Sequence, residues 1–128
     1  MGVAQKAKLL LVDDFEVVRK GLKNLLGGNE CWEICGEAED GREAVDKVTE
    51  LAPDVVLLDV TMPVMNGFQA ASEIRRRSPQ TKIVIFTMHE SPRIAEEAKR
   101  AGADAYVAKS APLDVIESTI SNLLEEHS

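Results

Sequence analysis

Five polar side chains stand where apolar runs end. Asp13 and Asp14 follow Leu9-Leu10-Leu11-Val12, Asp59 follows Val55-Val56-Leu57-Leu58, Thr87 follows Ile83-Val84-Ile85-Phe86, and Lys109 follows Ala105-Tyr106-Val107-Ala108. Three carboxylates brought together repel one another and bind a hard divalent cation through oxygen. Mg²⁺ prefers octahedral oxygen sites built from one or two carboxylates, several waters and substrate phosphate. Beside such a cation an anionic carboxylate can attack an anionic phosphoryl group, and a lysine adds further positive charge. Carboxylates do accept phosphoryl groups, as aspartyl phosphates. Asp59 is the best nucleophile because its strand is the most central, and Thr87 can donate a hydrogen bond to the transferred group. Singly, each residue has an ordinary role: Asp13 or Asp14 capping a helix, Thr87 capping another, Lys109 at the surface. Capping alone does not explain four of five strand ends carrying groups suited to one reaction.

The elements that position these groups follow from periodicity. Val55-Val56-Leu57-Leu58 is a run of four apolar residues, two of them β-branched, as expected for a strand buried on both faces of a parallel sheet. Lys8–Val12, Lys82–Phe86 and Ala105–Ala108 read the same way, and Trp32–Gly36 alternates loosely, as an edge strand does. Between them lie helical patterns: Phe15, Val18, Leu22, Leu25 and Leu26 up to Gly27-Gly28; Ala44, Val45, Val48 and Leu51 closed before Pro53; Phe68, Ala71 and Ile74 after an Asn66-Gly67 loop. The third helix ends in Arg75-Arg76-Arg77, which reads as a solvated terminus favoured by the helix dipole. A fourth helix carries Ile94, Ala95, Ala98 and Ala101 and stops at Gly102. Pro112 opens a fifth, with Leu113, Ile116, Ile120, Leu123 and Leu124 inward. Five alternations of strand and helix predict right-handed βαβ units in an α/β fold with a doubly wound, five-stranded parallel sheet. The usual strand order is 2-1-3-4-5, and ligands bind beyond the carboxyl ends of the strands.

The 128 residues fit a single domain, expected over 8–126, with an N-terminal extension over 1–7 and a tail at 127–128. Fifteen basic against 22 acidic residues give a charge of −7, which disfavours direct binding to nucleic acid or an anionic membrane. No apolar run approaches the roughly 18 residues of a membrane span, and Leu9–Val12 is too short for a signal-peptide core. The expected location is cytoplasmic. Cys31 and Cys35 fall in one predicted strand, ~13 Å apart and beyond disulfide reach, as buried or half-buried structural thiols.

The segments Val12-Asp13-Asp14, Leu58-Asp59-Val60-Thr61-Met62-Pro63…Asn66-Gly67, Phe86-Thr87 and Ala108-Lys109 resemble the receiver domain of bacterial two-component response regulators, over about residues 8 to 125. The stretches Asp14–Arg19, Gly36-Glu37-Ala38 and Arg100–Tyr106 are most similar to receivers attached to LuxR-type, NarL-like DNA-binding domains. The resemblance implies a flavodoxin-like (CheY-like) fold in which Asp59 accepts a phosphoryl group from a sensor histidine kinase or phosphotransfer protein. It implies that Asp14 and Asp59 ligate Mg²⁺ directly, Asp13 through water and Thr61 through its backbone carbonyl. Lys109 would pair with the phosphoryl oxygens. Thr87 and Tyr106 would be a switch pair acting on the face of helix four, strand five and helix five. That face would meet an output partner, a DNA-binding domain absent from this chain, or a second copy after phosphorylation. Such a domain is a self-dephosphorylating phosphoacceptor, not a turnover enzyme.

Two residues depart from the family pattern. Ser110 follows Lys109 where many receivers have proline, usually with a cis bond. Met88 follows Thr87 where a smaller residue is common, so that its bulk would crowd the phosphorylation site. Two rivals share the strand-end chemistry or the fold. An FMN binder would need a phosphate loop rich in Ser, Thr and Gly where Asp13-Asp14 stands. A dehalogenase-type phosphatase wants a second acid where this chain has Thr61. A phosphorylation-independent interaction module of the same fold is the remaining alternative.

Overall fold

Apolar runs become strands and amphipathic runs become helices in the computed structural model, which describes residues 6–88 and 90–125. In chain order these are β1 (Ala7–Val12), α1 (Glu16–Leu26), β2 (Trp32–Ala38), α2 (Gly41–Leu51), β3 (Val55–Asp59), α3 (Gly67–Arg77), β4 (Lys82–Thr87), α4 (Pro92–Arg100), β5 (Ala105–Ala108) and α5 (Leu113–Glu125). The strands form one parallel sheet in the order β2-β1-β3-β4-β5, with β2 at an edge, as expected from the sequence. Within the expected N-terminal extension, residues 1–5 lie outside the described residues, and Ala7 belongs to β1. The expected domain end at 126 and the tail at 127–128 lie outside them too.

Alternating strand residues serve two helical layers. Leu9, Leu11, Val55, Leu57, Val84 and Phe86 pack with Leu26 of α1 and with Ile116 and Ile120 of α5. Leu10, Val12, Val56, Leu58, Ile83 and Ile85 pack with α2, α3 and α4 through Val45, Val48, Ala71, Ile74 and Ala98. Each fully buried Leu or Ile contributes about 1.5–3 kcal/mol. The register sets Val12 beside Leu58, Asp59 beside Phe86 and Thr87 beside Ala108, so the polar strand ends lie level along one edge.

The opposite, amino-terminal edge is closed by polar groups that satisfy one another. The Lys8 amide donates to Asp54 Oδ2 at 2.7 Å, and the Asp54 amide donates back to the Lys8 carbonyl at 2.8 Å. The Ile83 amide donates to Asp104 Oδ2 at 2.8 Å. Arg75 belongs to this edge, which corrects the reading of Arg75-Arg76-Arg77 as a solvated terminus. Its guanidinium donates to the carbonyls of Gly102 (2.9 Å), Pro79 (2.7 Å) and Thr81 (3.0 Å) and to Asp104 Oδ2 (2.6 Å). Only Arg76 and Arg77 follow the expectation, exposed and paired with Glu73.

Three further expectations are corrected. Phe15 and Leu25 are 64% and 50% exposed, because α1 starts after Phe15 and turns inward a stripe of buried Arg19, half-buried Leu22 and buried Leu26. Cys31 is exposed and precedes β2, whereas Cys35 is half-buried, where burial raises its thiol pKa. Cys35 is the extra residue of a bulge, since Leu9 pairs with Ile34 but Leu10 with Gly36. At the start of β2, the buried Trp32 indole N–H donates to the Leu26 carbonyl at 3.0 Å, tying the end of α1 to the sheet. The Lys109–Ser110 peptide is trans.

Candidate functional site

Asp13, Asp59 and Thr87 are 3%, 6% and 5% exposed, an unusual depth for two carboxylates unless a partner compensates. The partner is Lys109. Its ammonium lies 2.8 Å from Asp13 Oδ2 and 2.8 Å from Asp59 Oδ1. The backbone aims it: the Lys109 amide donates to the Thr87 carbonyl at 2.7 Å, directly after the last β4–β5 pair. The Phe15 amide occupies the other Asp13 oxygen at 2.9 Å. Asp59 is backed by the start of α3, where the Gly67 amide donates to the Val60 carbonyl at 2.8 Å. A Cβ at Gly67 would overlap the Asp59 carbonyl oxygen, so only glycine allows this approach. Asn66 and Gln69 fix that helix start with a capping box.

Before these strand ends lies a cleft of about 640 Å³ lined by Asp14, Asp59, Thr61, Thr87 and Lys109. Phe15, Met88 and Ile94 also line it. Met88 is 67% exposed, so its bulk stands at the mouth of this cleft. Six of the seven residues singled out in the sequence therefore meet. Tyr106 stands apart, 38% exposed on β5, beside a separate groove of about 660 Å³ between α4 and β5.

Charge at this edge is unbalanced. One oxygen of each of Asp13, Asp14 and Asp59 lies within 4.8 Å of the others. At an effective dielectric of ~20, two unit charges ~4.8 Å apart repel by about 3–4 kcal/mol. Burial, followed by the neighbouring acids, raises the Asp59 pKa against the lowering effect of Lys109. Burial alone would lower the Lys109 pKa, but its bonds to Asp13 and Asp59 outweigh that and hold it above the usual lysine value. Three carboxylates and one ammonium leave two negative charges. Asp14 Oδ1 is moreover buried without a hydrogen-bond partner, and such an atom costs about 1–3 kcal/mol or more when charged. An all-oxygen site, two surplus charges and an orphaned carboxylate oxygen fit a hard divalent cation.

Residues 9–121 match the family model described as the response regulator receiver domain. The chain belongs to that family. Over 121 residues the receiver is 35% identical to the response regulator protein VraR of Staphylococcus epidermidis, covering 94% of this chain and 58% of that protein. Over 102 residues it is 40% identical to the chemotaxis protein CheY of Thermotoga maritima, covering 80% of this chain and 84% of CheY. Among solved structures it superposes on a LuxR-family two-component response regulator from Aurantimonas sp. SI85-9A1, with a TM-score of 0.87 and 34% identity, covering 94% and 87% of the two chains. The receiver thus spans a little over half the length of VraR, and 47% of the transcriptional regulatory protein DegU of Brevibacillus brevis.

Behind the carboxylates sit side chains that sequence reasoning missed. Arg19 of α1 is 8% exposed. Its Nη1 donates to the Asp13 carbonyl at 2.6 Å and its Nε to Glu37 Oε1 at 2.9 Å. Lys23 also donates to Glu37, at 2.9 Å. That bond to Lys23, with the weaker help of Arg19, holds the Glu37 carboxyl below its usual pKa. The available signal was an arginine on the buried stripe of an amphipathic helix, since Arg19 lies three residues before Leu22 and seven before Leu26.

Proposed function

We propose that this receiver is a phosphoacceptor in which Asp59 takes a phosphoryl group from a histidine kinase or phosphotransfer protein. Asp14 and Asp59 would hold Mg²⁺ directly, with Asp13 acting through water and the Thr61 carbonyl completing the protein ligands. When bound, the cation supplies charge neutralisation between the carboxylate and the phosphoryl oxygens. With Oδ1 held by Lys109, the attacking atom is Asp59 Oδ2. It forms the new P–O bond as the P–N bond to the donor imidazole breaks and the electron pair returns to the ring. Lys109 then exchanges Asp59 Oδ1 for a phosphoryl oxygen without leaving Asp13. Thr87 donates its hydroxyl hydrogen to another phosphoryl oxygen.

The output follows from the same groups. Moving Thr87 toward the phosphoryl group vacates room near β5, and Tyr106, 38% exposed, turns inward beside the α4–β5 groove. The α4–β5–α5 face then presents an altered surface to an output domain or a second copy. No described helix is long and apolar enough to cross a membrane, and the working compartment of this reading is the cytoplasm. The domain acts as a switch that releases its own phosphate, not as an enzyme turning over an external substrate.

The observation that carries the reading is Lys109 bridging Asp13 and Asp59 beside the orphaned Asp14 oxygen. Acetyl phosphate with Mg²⁺ should add one phosphate to the intact mass, labile to alkali, and EDTA or Asp59→Asn should abolish it. Undiminished labelling in Asp59→Asn would move the acceptor elsewhere.

A further inference from the structure

The acidic pair is useful only if the Asp13–Asp14 peptide presents Asp14 toward the cleft. The Asp13 carbonyl and the Asp14 amide belong to one rigid plane that runs to the Asp14 Cα, so anchoring that carbonyl fixes the point from which the Asp14 side chain departs. The plane's carbonyl has a buried side-chain anchor: Arg19 Nη1 donates to it at 2.6 Å. Arg19 is itself held, since its Nε donates to Glu37 Oε1 at 2.9 Å. Glu37 in turn is pinned by Lys23 at its carboxylate and by Lys47 Nζ at its carbonyl, 2.6 Å away. The chain of contacts ends at the β2–β1 pair, where the Asp13 amide donates to the Ala38 carbonyl at 3.1 Å.

We infer that Arg19 is a positioning residue for the cation site, fixing the Asp13–Asp14 peptide so that the buried Asp14 Oδ1 is held ready as a ligand. The inference rests on the cation-assisted reading above. Arg19 touches neither the phosphoryl group nor the cation, so it acts on cation affinity rather than on the phosphoryl transfer itself. Lysine cannot replace it fully, because one ammonium does not reproduce two divergent N–H donors fixed in a plane. Groups that orient metal ligands typically change metal affinity by about 10–100-fold when removed.

The test is Mg²⁺ titration by calorimetry on the whole chain, paired with acetyl phosphate labelling across the same Mg²⁺ range. Arg19→Gln should weaken Mg²⁺ by about tenfold, with Arg19→Lys and Glu37→Gln weakening it less. At saturating Mg²⁺ the labelling rate of each variant should return to within about twofold of the parent. Arg75→Gln, which removes another carbonyl-clamping arginine at the far edge, should lower thermal stability while leaving the Mg²⁺ constant unchanged. A folded Arg19→Gln with the parent's Mg²⁺ constant would overturn the inference. If that variant does not fold, unchanged constants in both Arg19→Lys and Glu37→Gln would do the same. So would an equal loss in Arg75→Gln, which would mark the effect as general loosening. A parent chain that binds no Mg²⁺ at all would instead sink the phosphoacceptor reading, a result distinct from parent and variants binding alike.

Discussion

The two edges of this sheet are built from the same materials and arranged to opposite ends. At the amino-terminal edge Asp54, Asp104 and Arg75 are each matched to backbone or side-chain partners, and Asp104 Oδ2 alone takes both Arg75 and the Ile83 amide. At the carboxyl-terminal edge Asp13, Asp14 and Asp59 crowd around one lysine and leave a buried oxygen unsatisfied. The first edge is arranged for folding. The second keeps a conflict that folding alone would have removed, and conflicts of this kind mark functional sites. Backbone strain does not distinguish them, since Ala52 near one edge and Val64 near the other both have positive φ, 48° and 69°.

The sharpest contrast is chemical. Asp59→Asn should lose phosphate labelling completely in the intact mass, while Asp54→Asn, at the opposite edge next to the same strand, should label as the parent does. Labelling lost equally in both would erase the distinction. The next effect is on stability: Arg75→Ala should cost about 2 kcal/mol in urea unfolding, because it strands several carbonyls and Asp104, with labelling intact at temperatures where the variant is folded.

A third effect is in pH. Burial raises the Asp59 pKa in the folded chain, so the folded state binds that proton more tightly than the unfolded one. Without divalent cation, Asp59 therefore removes stability as pH rises from the ordinary carboxylate pKa through the raised one. Relative to Asp59→Asn, the cation-free parent should lose stability across that window. Glu37 runs the other way: its lowered pKa gives stability present above the ordinary value and lost as pH falls through the folded one. Added Mg²⁺ should oppose the Asp59 trend, and its stabilisation should grow as Asp59 ionises. A flat Asp59 difference by thermal unfolding in EDTA would mean that the conflict is absent. The smallest effect concerns the two positive-φ residues: Ala52→Gly and Val64→Gly should each stabilise by about 0.5–1 kcal/mol in urea, alike at both edges.

The legible parts of the molecule were those written locally. An apolar run stopped by Asp, Thr or Lys announces both a strand and its carboxyl end, so Asp13, Asp14, Asp59, Thr87 and Lys109 could be grouped before any fold was known. The bonds made by Arg19 and Arg75 were illegible because their partners are largely backbone carbonyls or residues far along the chain: Glu37 lies 18 positions from Arg19, and Asp104 lies 29 from Arg75. No periodicity encodes such a bond. Phe15 and Leu25 misled because a pattern of apolar residues does not say where a helix starts. Beginning α1 after Phe15 gave the buried stripe to Arg19 and Leu26 instead. Cys31 was placed in a strand that starts one residue later.

Trp32 is the chain's single tryptophan. It is sealed at the start of β2 by its bond to Leu26, at the end of the strand farther from Asp59. Its emission should therefore follow whether the sheet and α1 are assembled, and should not respond to a cation or phosphate added at the other edge. The molecule carries its own optical reference. Any variant of the acidic edge can be checked for an intact fold by light from one end while its chemistry is read by mass at the other.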